Sequence, residues 1–338
     1  MTLPIPFRPL LAAIGLAALP LAAAAQEVSL RIGHVEAPAS TTHVLLETVA
    51  ERVAAATGGA VEIQVFPQSQ LGGQREMTEA VQFGALDATA GPVAFMGGFN
   101  PLASIMDIPF LYPSDPETAQ AIRDGGFGDA FCDSFNSRGV TCVALYPNGT
   151  KQFTSSRPIA AAADFAGQTF RVMDSAVLVD SLKAIDVTAV PIPFGELYTA
   201  LQTGVVDGEE NPLDTIFNMK FYEVQDYLTL SNHGAIENVV LFNPAIWEGL
   251  KPEWRKAISD ALHDVIPEMI AHKAAAGERA LAAIREAGVT VTEPSPEEVA
   301  ALRETMFPAA RDAFLARSGD EGAALFEAYQ AARDAALN

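Results

Sequence analysis

The segment of residues 187–212, "VTAVPIPFGELYTALQTGVVDGEENP", has the pattern of a strand, a helix and a second strand in direct succession. The first part, "VTAVPIP", is rich in β-branched residues, and the helical part "FGELYTALQTG" ends at Gly204, a residue type that commonly terminates helices. The last part, "VVDGEEN", returns the chain to the sheet. Strand–helix–strand units build parallel sheets covered by helices, so this segment predicts an α/β fold.

The same alternation occurs on both sides of this segment. Strands are predicted over residues 28–35 and in "AVEIQVFP", with a helix between them that ends at Gly58. A helix that ends at Gly84 and a short strand are predicted by "QREMTEAVQFGALDATAG". After Gly149 the pattern begins again, with strands in "KQFTSSRPI" and "GQTFRVM" and a helix in "SAVLVDSLKAI".

The chain has 338 residues, which suits two lobes better than one core. We predict a first lobe of residues 26–149 plus 237–275, because the strand "ENVVLFNP" returns to the first set of strands. The second lobe is then residues 150–236 plus 276–338. Several chain crossings between two lobes favour a hinge.

The C-terminal part is helical. A long pattern covers residues 253–288, with Pro267 expected to kink it. A helix of about 30 residues is about 45 Å long, enough to brace both lobes. We therefore predict a long C-terminal bracing helix.

The first 25 residues have the features of a secretory signal peptide. One basic residue, Arg8, precedes an apolar run, and the segment ends in small residues up to Ala25. Cleavage is predicted between Ala25 and Gln26, and the alternative is an uncleaved anchor. The mature protein is then expected to be exported to the periplasm.

The charge balance is strongly acidic. The formal net charge is −21, and it becomes −22 once the signal segment with its single basic residue is removed. Nucleic acid is not expected as a partner, since binding it requires a basic surface. A small anion remains compatible, because distant surface charges are screened by salt while a buried arginine acts at contact.

The two cysteines, Cys132 and Cys142, are ten positions apart. In an exported protein this favours one disulfide bond over two free thiols. No histidine lies between residues 44 and 232, which argues against a metal site at these cysteines.

Sequence signatures of common enzymes are absent, including G-x-S-x-G, H-E-x-x-H and the P-loop. The acidic loop 207–210 leaves three alternatives open: solvated acids, a calcium loop, or the acid of a periplasmic hydrolase or lyase that uses Asp207, Glu209 or Glu210 with a histidine. The crowding of the acids argues against calcium. No cofactor is implied.

Arg171 is the clearest candidate for ligand binding. In "GQTFRVMDS", Phe170 and Val172 share one face of a strand and Arg171 lies on the other. A guanidinium at a strand end suits a carboxylate, because two parallel charge-assisted bonds fix its orientation. The alternative is an internal salt bridge with one of the many acids.

Five stretches together resemble the solute-binding proteins of tripartite ATP-independent periplasmic (TRAP) transporters, in their dicarboxylate-binding branch. They are "FPQSQLGGQREMTEAVQFGALD", "DIPFL", "SSRPIAAAADFAGQTFRVMDS", "VPIPFGELYTALQTGVVDGEENP" and "FYEVQDYLTLSNH". The resemblance runs in order from about residue 28 to 240 and continues weakly through the terminal helices. It implies a two-lobed periplasmic receptor that closes a cleft on a small organic acid and delivers it to the integral-membrane subunits of a transporter.

The resemblance also implies roles for single residues. Arg171 matches an arginine that pairs with the ligand carboxylate, and Asn211 matches an asparagine that hydrogen-bonds the ligand. Phe194 matches an aromatic position that packs on the ligand. Glu36 matches a position that accepts a polar or cationic ligand group.

Lys151 occupies a position where relatives often have a second arginine, so this chain keeps the charge but loses the planar fork. Lys151 is predicted as an auxiliary cation, and Gln74 and His34 complete the predicted ligand-binding set. Together with Glu36, the lysine favours a sugar acid or hydroxy acid over a symmetric diacid. A sensor domain of the same fold and a receptor for an ABC transporter are the remaining alternatives.

Overall fold

A computed structural model describes residues 26–337 of the chain. The predicted signal peptide, residues 1–25, lies outside the described residues. None of the helices in the described range combines the length and the apolar composition that a membrane-spanning helix needs.

Nine strands of the described chain form one mixed sheet. They are β1 (Val28–Gly33), β2 (Val61–Phe66), β3 (Ala88–Pro92), β4 (Thr141–Ser155), β5 (Thr169–Val172), β6 (Thr188–Pro191), β7 (Gly208–Asn211), β8 (Tyr227–Phe242) and β9 (Thr290–Thr292). Across the sheet the strand order is β2-β1-β3-β8-β4-β7-β5-β6, and β9 pairs with β8.

Eleven α-helices surround the sheet in residues 26–337. They are α1 (Thr41–Ala56), α2 (Gln74–Gln82), α3 (Pro116–Arg123), α4 (Gly126–Asp133), α5 (Ala176–Lys183), α6 (Leu197–Gln202), α7 (Leu213–Asn218), α8 (Pro244–Gly249), α9 (Pro252–Asp264), α10 (Ile266–Glu286) and α11 (Pro296–Ala336). The predicted order of strands and helices in the two βαβ sets is confirmed.

The sheet has two parallel sets joined by an antiparallel pair. Strand β1 runs parallel to β2 and β3, and strand β5 runs parallel to β6 and β7. Strands β4 and β8 lie between the two sets and pair with each other along most of their length. Strand β3 pairs with the C-terminal part of β8, whereas β7 pairs with the C-terminal part of β4. The fold is therefore a two-lobed α/β architecture in which two long strands pass from one set to the other.

The sequence predicts only the ends of these long strands. "KQFTSSRPI" contains the end of β4, which begins at Thr141, and "ENVVLFNP" contains the end of β8, which begins at Tyr227. The predicted lobe boundaries, 149/150 and 236/237, fall inside the two strands, close to a register shift between Pro147 and Thr150. The division of the chain into lobes stays a prediction.

The expected long C-terminal helix is confirmed, but its predicted position is wrong. Residues 253–288 form the two helices α9 and α10, which meet at Val265, and Pro267 lies in the first turn of the second, where proline is tolerated. The long helix is α11, which is interrupted at Gly319. Near its end the Tyr329 hydroxyl donates a hydrogen bond to the carbonyl of Leu111.

Helices α2 and α6 end in the same way. Each is followed by a glycine with positive φ, Gly84 or Gly204, and three residues later by an aspartate, Asp87 or Asp207. Asp87 accepts a hydrogen bond from a backbone amide of β1 at 2.8 Å, and Asp207 accepts one from a backbone amide of β5 at 2.7 Å. Asp207 therefore fixes the start of strand β7 against β5.

Apolar side chains cover both faces of the sheet. One cluster packs α1 and α9 onto the first strands, with Leu46, Val53 and Ile258 buried. In the larger cluster, Phe153 of β4 makes edge-to-face contacts with two phenylalanines, one of them on β5, at ring distances of 4.8 and 5.7 Å. This core supports the strands that carry the candidate site.

Candidate functional site

Arg171 lies on β5 and is fully buried. Its Nε donates a hydrogen bond of 2.9 Å to the carbonyl of Ile192, while its Nη2 has no hydrogen-bond partner among the described residues. The rings of Phe95 and Phe194 have their centroids 5.8 and 5.9 Å from its Cζ. A buried guanidinium with an unused donor is costly unless an acceptor completes its contacts, so this position suits an anion.

The electrostatic surroundings keep Arg171 charged. Burial lowers the pKa of its guanidinium to about 10, and the nearby carboxylates Glu209 and Glu210 oppose this decrease. At neutral pH the group is therefore protonated. No salt bridge within 4.0 Å joins it to a carboxylate of residues 26–337, so the alternative of an internal salt bridge is not what the structure has.

A narrow cavity lies beside Phe95 and Phe194. Six of its ten lining residues are apolar: Val35, Pro92, Phe95, Met173, Phe194 and Ile236. The four polar ones are Glu36, Asn148, Asn211 and Thr215. Apolar walls with a few convergent polar groups are typical of small-molecule sites.

Glu36 follows β1 and has its two carboxylate oxygens in different surroundings. Its Oε1 accepts hydrogen bonds from Thr42 Oγ1 at 3.1 Å and from Asn148 Nδ2 at 2.6 Å. Its Oε2 is buried and has no hydrogen-bond partner within residues 26–337. The site therefore has an unused donor on Arg171 and an unused acceptor on Glu36.

Asn211 is the last residue of β7 and is held by its neighbour Glu209. Its Nδ2 donates to Glu209 Oε2, and Glu209 Oε1 accepts from Thr154 Oγ1 at 2.8 Å. Burial raises the pKa of Glu209 to about 7, although these hydrogen bonds and Arg171 favour the charged form. Strand β7 thus fixes Asn211 at the cavity through a buried carboxyl group.

Lys151 and Glu210 form a buried ion pair behind the cavity. Lys151 Nζ lies 2.7 Å from Glu210 Oε1, and His233 Nε2 lies 2.8 Å from Glu210 Oε2. Burial alone would raise the pKa of Glu210, but Lys151 and His233 outweigh it and lower the pKa to about 2. Lys151 is not among the residues that line the described cavity, so its ammonium is engaged with Glu210 rather than directed at the cavity.

Gln74 and His34 are buried and hydrogen-bond to other groups of the protein. Gln74 Nε2 donates to Thr89 Oγ1 at 3.0 Å. His34 Nδ1 accepts from the backbone amide of Glu36 at 3.2 Å, and burial lowers the pKa of His34 to about 3. The neutral imidazole therefore supports the segment that carries Glu36, and neither side chain is part of the described cavity wall.

The structure joins Cys132, in α4, to Cys142, in β4, by a disulfide bond with a Cα–Cα distance of 5.1 Å. Within the described residues there is no group of three or more histidine, cysteine, aspartate or glutamate residues that could hold a metal ion.

Comparison with known proteins identifies the family. The profile of the bacterial extracellular solute-binding proteins, family 7, matches residues 32–316. The chain belongs to this family. It is 33% identical over 332 residues to the C4-dicarboxylate-binding periplasmic protein DctP of Rhodobacter capsulatus, covering 95% of this chain and 97% of that protein.

Two solved structures of family members are similar over nearly their whole length. A TRAP periplasmic solute-binding protein from Desulfovibrio salexigens, crystallised with orotic acid, is 52% identical, has a TM-score of 0.90, and covers 91% of this chain and 99% of its own. The sugar acid-binding protein DctPAm from Advenella mimigardefordensis, in complex with galactonate, is 31% identical with a TM-score of 0.85 and the same coverages. The chain is therefore a periplasmic solute-binding protein with a carrier role.

The acidic loop of this solute-binding protein is not solvated. Glu209 and Glu210 are 0% and 2% exposed and belong to strand β7. Their oxygens contact Thr154, Asn211, Lys151 and His233, as described above. The interpretation of the loop as solvated acids is therefore wrong.

Sequence reasoning did not find several cavity residues. Phe95, Met173 and Asn148 line the cavity, but no spacing connects them in the sequence. Asp107, which does not line the described cavity, was also missed; its Oδ2 accepts a 2.6 Å hydrogen bond from Ser175 Oγ, and burial raises the pKa of Asp107 to about 7. Asn148 had one usable signal, since it precedes Gly149, the glycine after which the strand–helix pattern of the sequence begins again.

Proposed function

We propose that this protein binds a planar ring carboxylate of the orotate type and delivers it to the membrane subunits of a TRAP transporter. The observation that carries the proposal is the unused Nη2 donor of Arg171. Arg171 does not line the described cavity, but its guanidinium lies near the rings of Phe95 and Phe194, which do, and the cavity wall also includes Glu36 with its unused Oε2 acceptor. The guanidinium would bind the carboxylate, and Glu36 would accept a ring N–H.

Two further features support this ligand class. The apolar walls, including Phe95, Phe194 and Met173, suit a flat ring better than a fully hydroxylated chain. The relative at 52% identity was crystallised with orotic acid, whereas the relative in complex with galactonate is 31% identical. The sugar acids and hydroxy acids favoured by the sequence are therefore the second class to test.

Binding rather than catalysis is proposed, because the acids of the alternative hydrolase or lyase are engaged elsewhere. Asp207 accepts from a β5 amide, and Glu210 pairs with Lys151 and His233. Glu209 has the raised pKa that a general acid requires, but both of its oxygens are hydrogen-bonded to protein groups.

The experiment is calorimetric titration of the mature, ligand-stripped protein with orotate, galactonate, succinate and uracil. Orotate should bind, uracil should not, and the recovered orotate should be chemically unchanged. Arg171→Ala should weaken orotate binding on the order of 30-fold or more, since removing one partner of a desolvated charge pair costs about 2–5 kcal/mol.

The matched control is Arg157→Ala, since Arg157 is exposed. It should bind orotate like the wild type. Unchanged affinity in Arg171→Ala would remove Arg171 from the site, and conversion of orotate would support the enzyme instead.

A further inference from the structure

We infer that Lys273 is a positioning residue that fixes the ligand-facing orientation of Asn148 and, through it, of Glu36. This inference deepens the proposed function and rests on it for the identity of the ligand. Lys273 lies on α10 and is nine-tenths buried, although no part of it lines the described cavity. Its Nζ donates to Asn148 Oδ1 at 2.8 Å and lies 2.8 Å from Asp214 Oδ2.

The main chain of β4 leaves room for this lysine. Gly149 has φ +97, and a Cβ built on it would lie 2.8 Å from Lys273 Cε and 3.1 Å from Pro212 Cβ. Any other residue at this position would press on the lysine stem. The glycine therefore leaves the space that the lysine stem uses to bring its ammonium to Asn148.

The ammonium on one side, and Glu36 Oε1 and Asn238 Oδ1 on the other, together set which end of the Asn148 amide faces Glu36, with Nδ2 lying 3.4 Å from Asn238 Oδ1. The oxygen and nitrogen ends of an amide have nearly the same shape, so hydrogen bonding sets the orientation. Lys273 only donates, and it therefore requires Oδ1 on its side. Nδ2 must then point to Glu36 Oε1, which it reaches at 2.6 Å.

The orientation of the Asn148 amide determines which oxygen of Glu36 is left to accept a hydrogen bond from the ligand. With Nδ2 and Thr42 on Oε1, the carboxylate of Glu36 keeps Oε2 as its unused acceptor at the cavity. If the Asn148 amide turned over, its Oδ1 would face Oε1, and two acceptors would repel each other. Glu36 would then lose the arrangement that receives a donor group of the ligand.

Asp214 supplies a matched control for this chain of contacts. It shares the ammonium but belongs to α7, and the hydrogen bonds of the Asn148 side chain go to other residues. Asp214→Asn removes the ion pair and leaves the bond from Lys273 to Asn148. Lys273→Met removes both contacts and keeps a side chain of similar length.

The first test needs no ligand. In nuclear magnetic resonance spectra of the stripped protein, assigned with an Asn148→Asp variant, the protons of the Asn148 side-chain amide should exchange slowly with solvent. This protection should be retained in Asp214→Asn and lost in Lys273→Met. An unchanged Asn148 amide in Lys273→Met would overturn the inference.

The second test measures orotate affinity by titration calorimetry. Lys273→Met should weaken binding about tenfold or more, the loss expected for a charge-assisted contact, and Asp214→Asn by less than about threefold. In a Glu36→Gln background, Lys273→Met should add no further loss, because both act through the same contact. Equal losses in Lys273→Met and Asp214→Asn would show that Lys273 acts only through the ion pair. Additive losses with Glu36→Gln would show that it acts independently of Glu36, and either result would overturn the inference. If wild-type protein does not bind orotate, the proposed ligand is wrong, and the amide spectra still decide the role of Lys273.

Discussion

Glu209 is a buried carboxyl group, and burial disfavours its charged form. Its pKa is raised from 4.5 to about 7, mainly by burial, while Arg171 and two hydrogen bonds partly compensate. An ionisable group in this position keeps Asn211 oriented and places negative charge near the guanidinium that we propose binds the ligand. Burial of this group therefore costs stability but gives the cavity a defined geometry.

The raised pKa of Glu209 makes the free energy of unfolding depend on pH, with a definite sign. The unfolded chain releases the Glu209 proton near pH 4.5 and the folded protein near pH 7, so the folded state binds more protons between these values. The contribution of Glu209 to the free energy of unfolding must then decrease as pH rises from about 4.5 to about 7. Glu209→Gln cannot ionise, and its stability relative to wild type should increase by about 2–3 kcal/mol between pH 5 and pH 8.

Urea denaturation at both pH values measures this difference. Glu51→Gln, on the exposed side of α1, is the control and should keep the wild-type pH dependence. A constant difference between Glu209→Gln and wild type would mean that Glu209 keeps its ordinary pKa in the folded protein.

At the scale of elements, strand β4 runs through both halves of the sheet, and its pairing with β8 is irregular where it passes from one half to the other. The register with β8 shifts between Pro147 and Thr150, and Asn148 and Gly149 lie in this irregularity. The shift turns the Asn148 side chain to the cavity and opens the space used by Lys273. A regular strand would offer neither feature.

Substitution of Gly149 tests how much the protein depends on this irregularity. Gly149→Ala combines a φ of +97 with a Cβ 2.8 Å from Lys273 Cε, whereas Gly204→Ala has a φ of +70 and no atom within 4 Å of the added carbon. Gly204→Ala should lower the free energy of unfolding by about 1 kcal/mol, and Gly149→Ala should lower it by about 1–3 kcal/mol more. Chemical denaturation of both variants gives the comparison, and equal losses would show that the contact with Lys273 relaxes without cost.

Elements with a local signal could be predicted from the sequence, whereas those fixed by distant contacts could not. The helices before Gly58, Gly84 and Gly204 were found because glycine ends them locally. Strands β4 and β8 were predicted too short, because Gly149 and Gly234 resemble strand ends and only pairing between the two strands shows that they continue. Helix periodicity likewise cannot place one break at Val265 and another at Gly319.

In the candidate site, too, residues with a local sequence signal could be predicted and those fixed by distant contacts could not. Arg171 was found because "TFRV" alternates within one strand, and the family resemblance added Glu36, Phe194 and Asn211. The resemblance could not show that Lys151 is neutralised by Glu210, since that depends on the packing of β4 against β7. Lys273 lies in an alanine-rich helix whose sequence does not distinguish the buried side from the exposed one.

At the scale of the whole molecule, the protein repels the kind of ligand that we propose for it. The formal net charge of the chain is −21, and two buried cations near the site, Lys151 and Lys273, are paired with acids. Arg171 therefore attracts a carboxylate at contact, while the field outside the cleft opposes its approach. The range of that field is about 30 Å at 0.01 M salt and about 8 Å at 0.15 M.

Association of orotate should consequently become faster as salt is added, the reverse of electrostatic attraction. Stopped-flow fluorescence between 0.01 and 0.15 M sodium chloride should show the association rate constant rising several-fold. The dissociation rate constant is the internal control and should change little, because the contacts of a buried guanidinium are screened much less than those at the surface. An association rate that falls with salt would instead show that positive potential at the mouth of the cleft outweighs the acidic surface, and that cations other than Arg171 guide the ligand in.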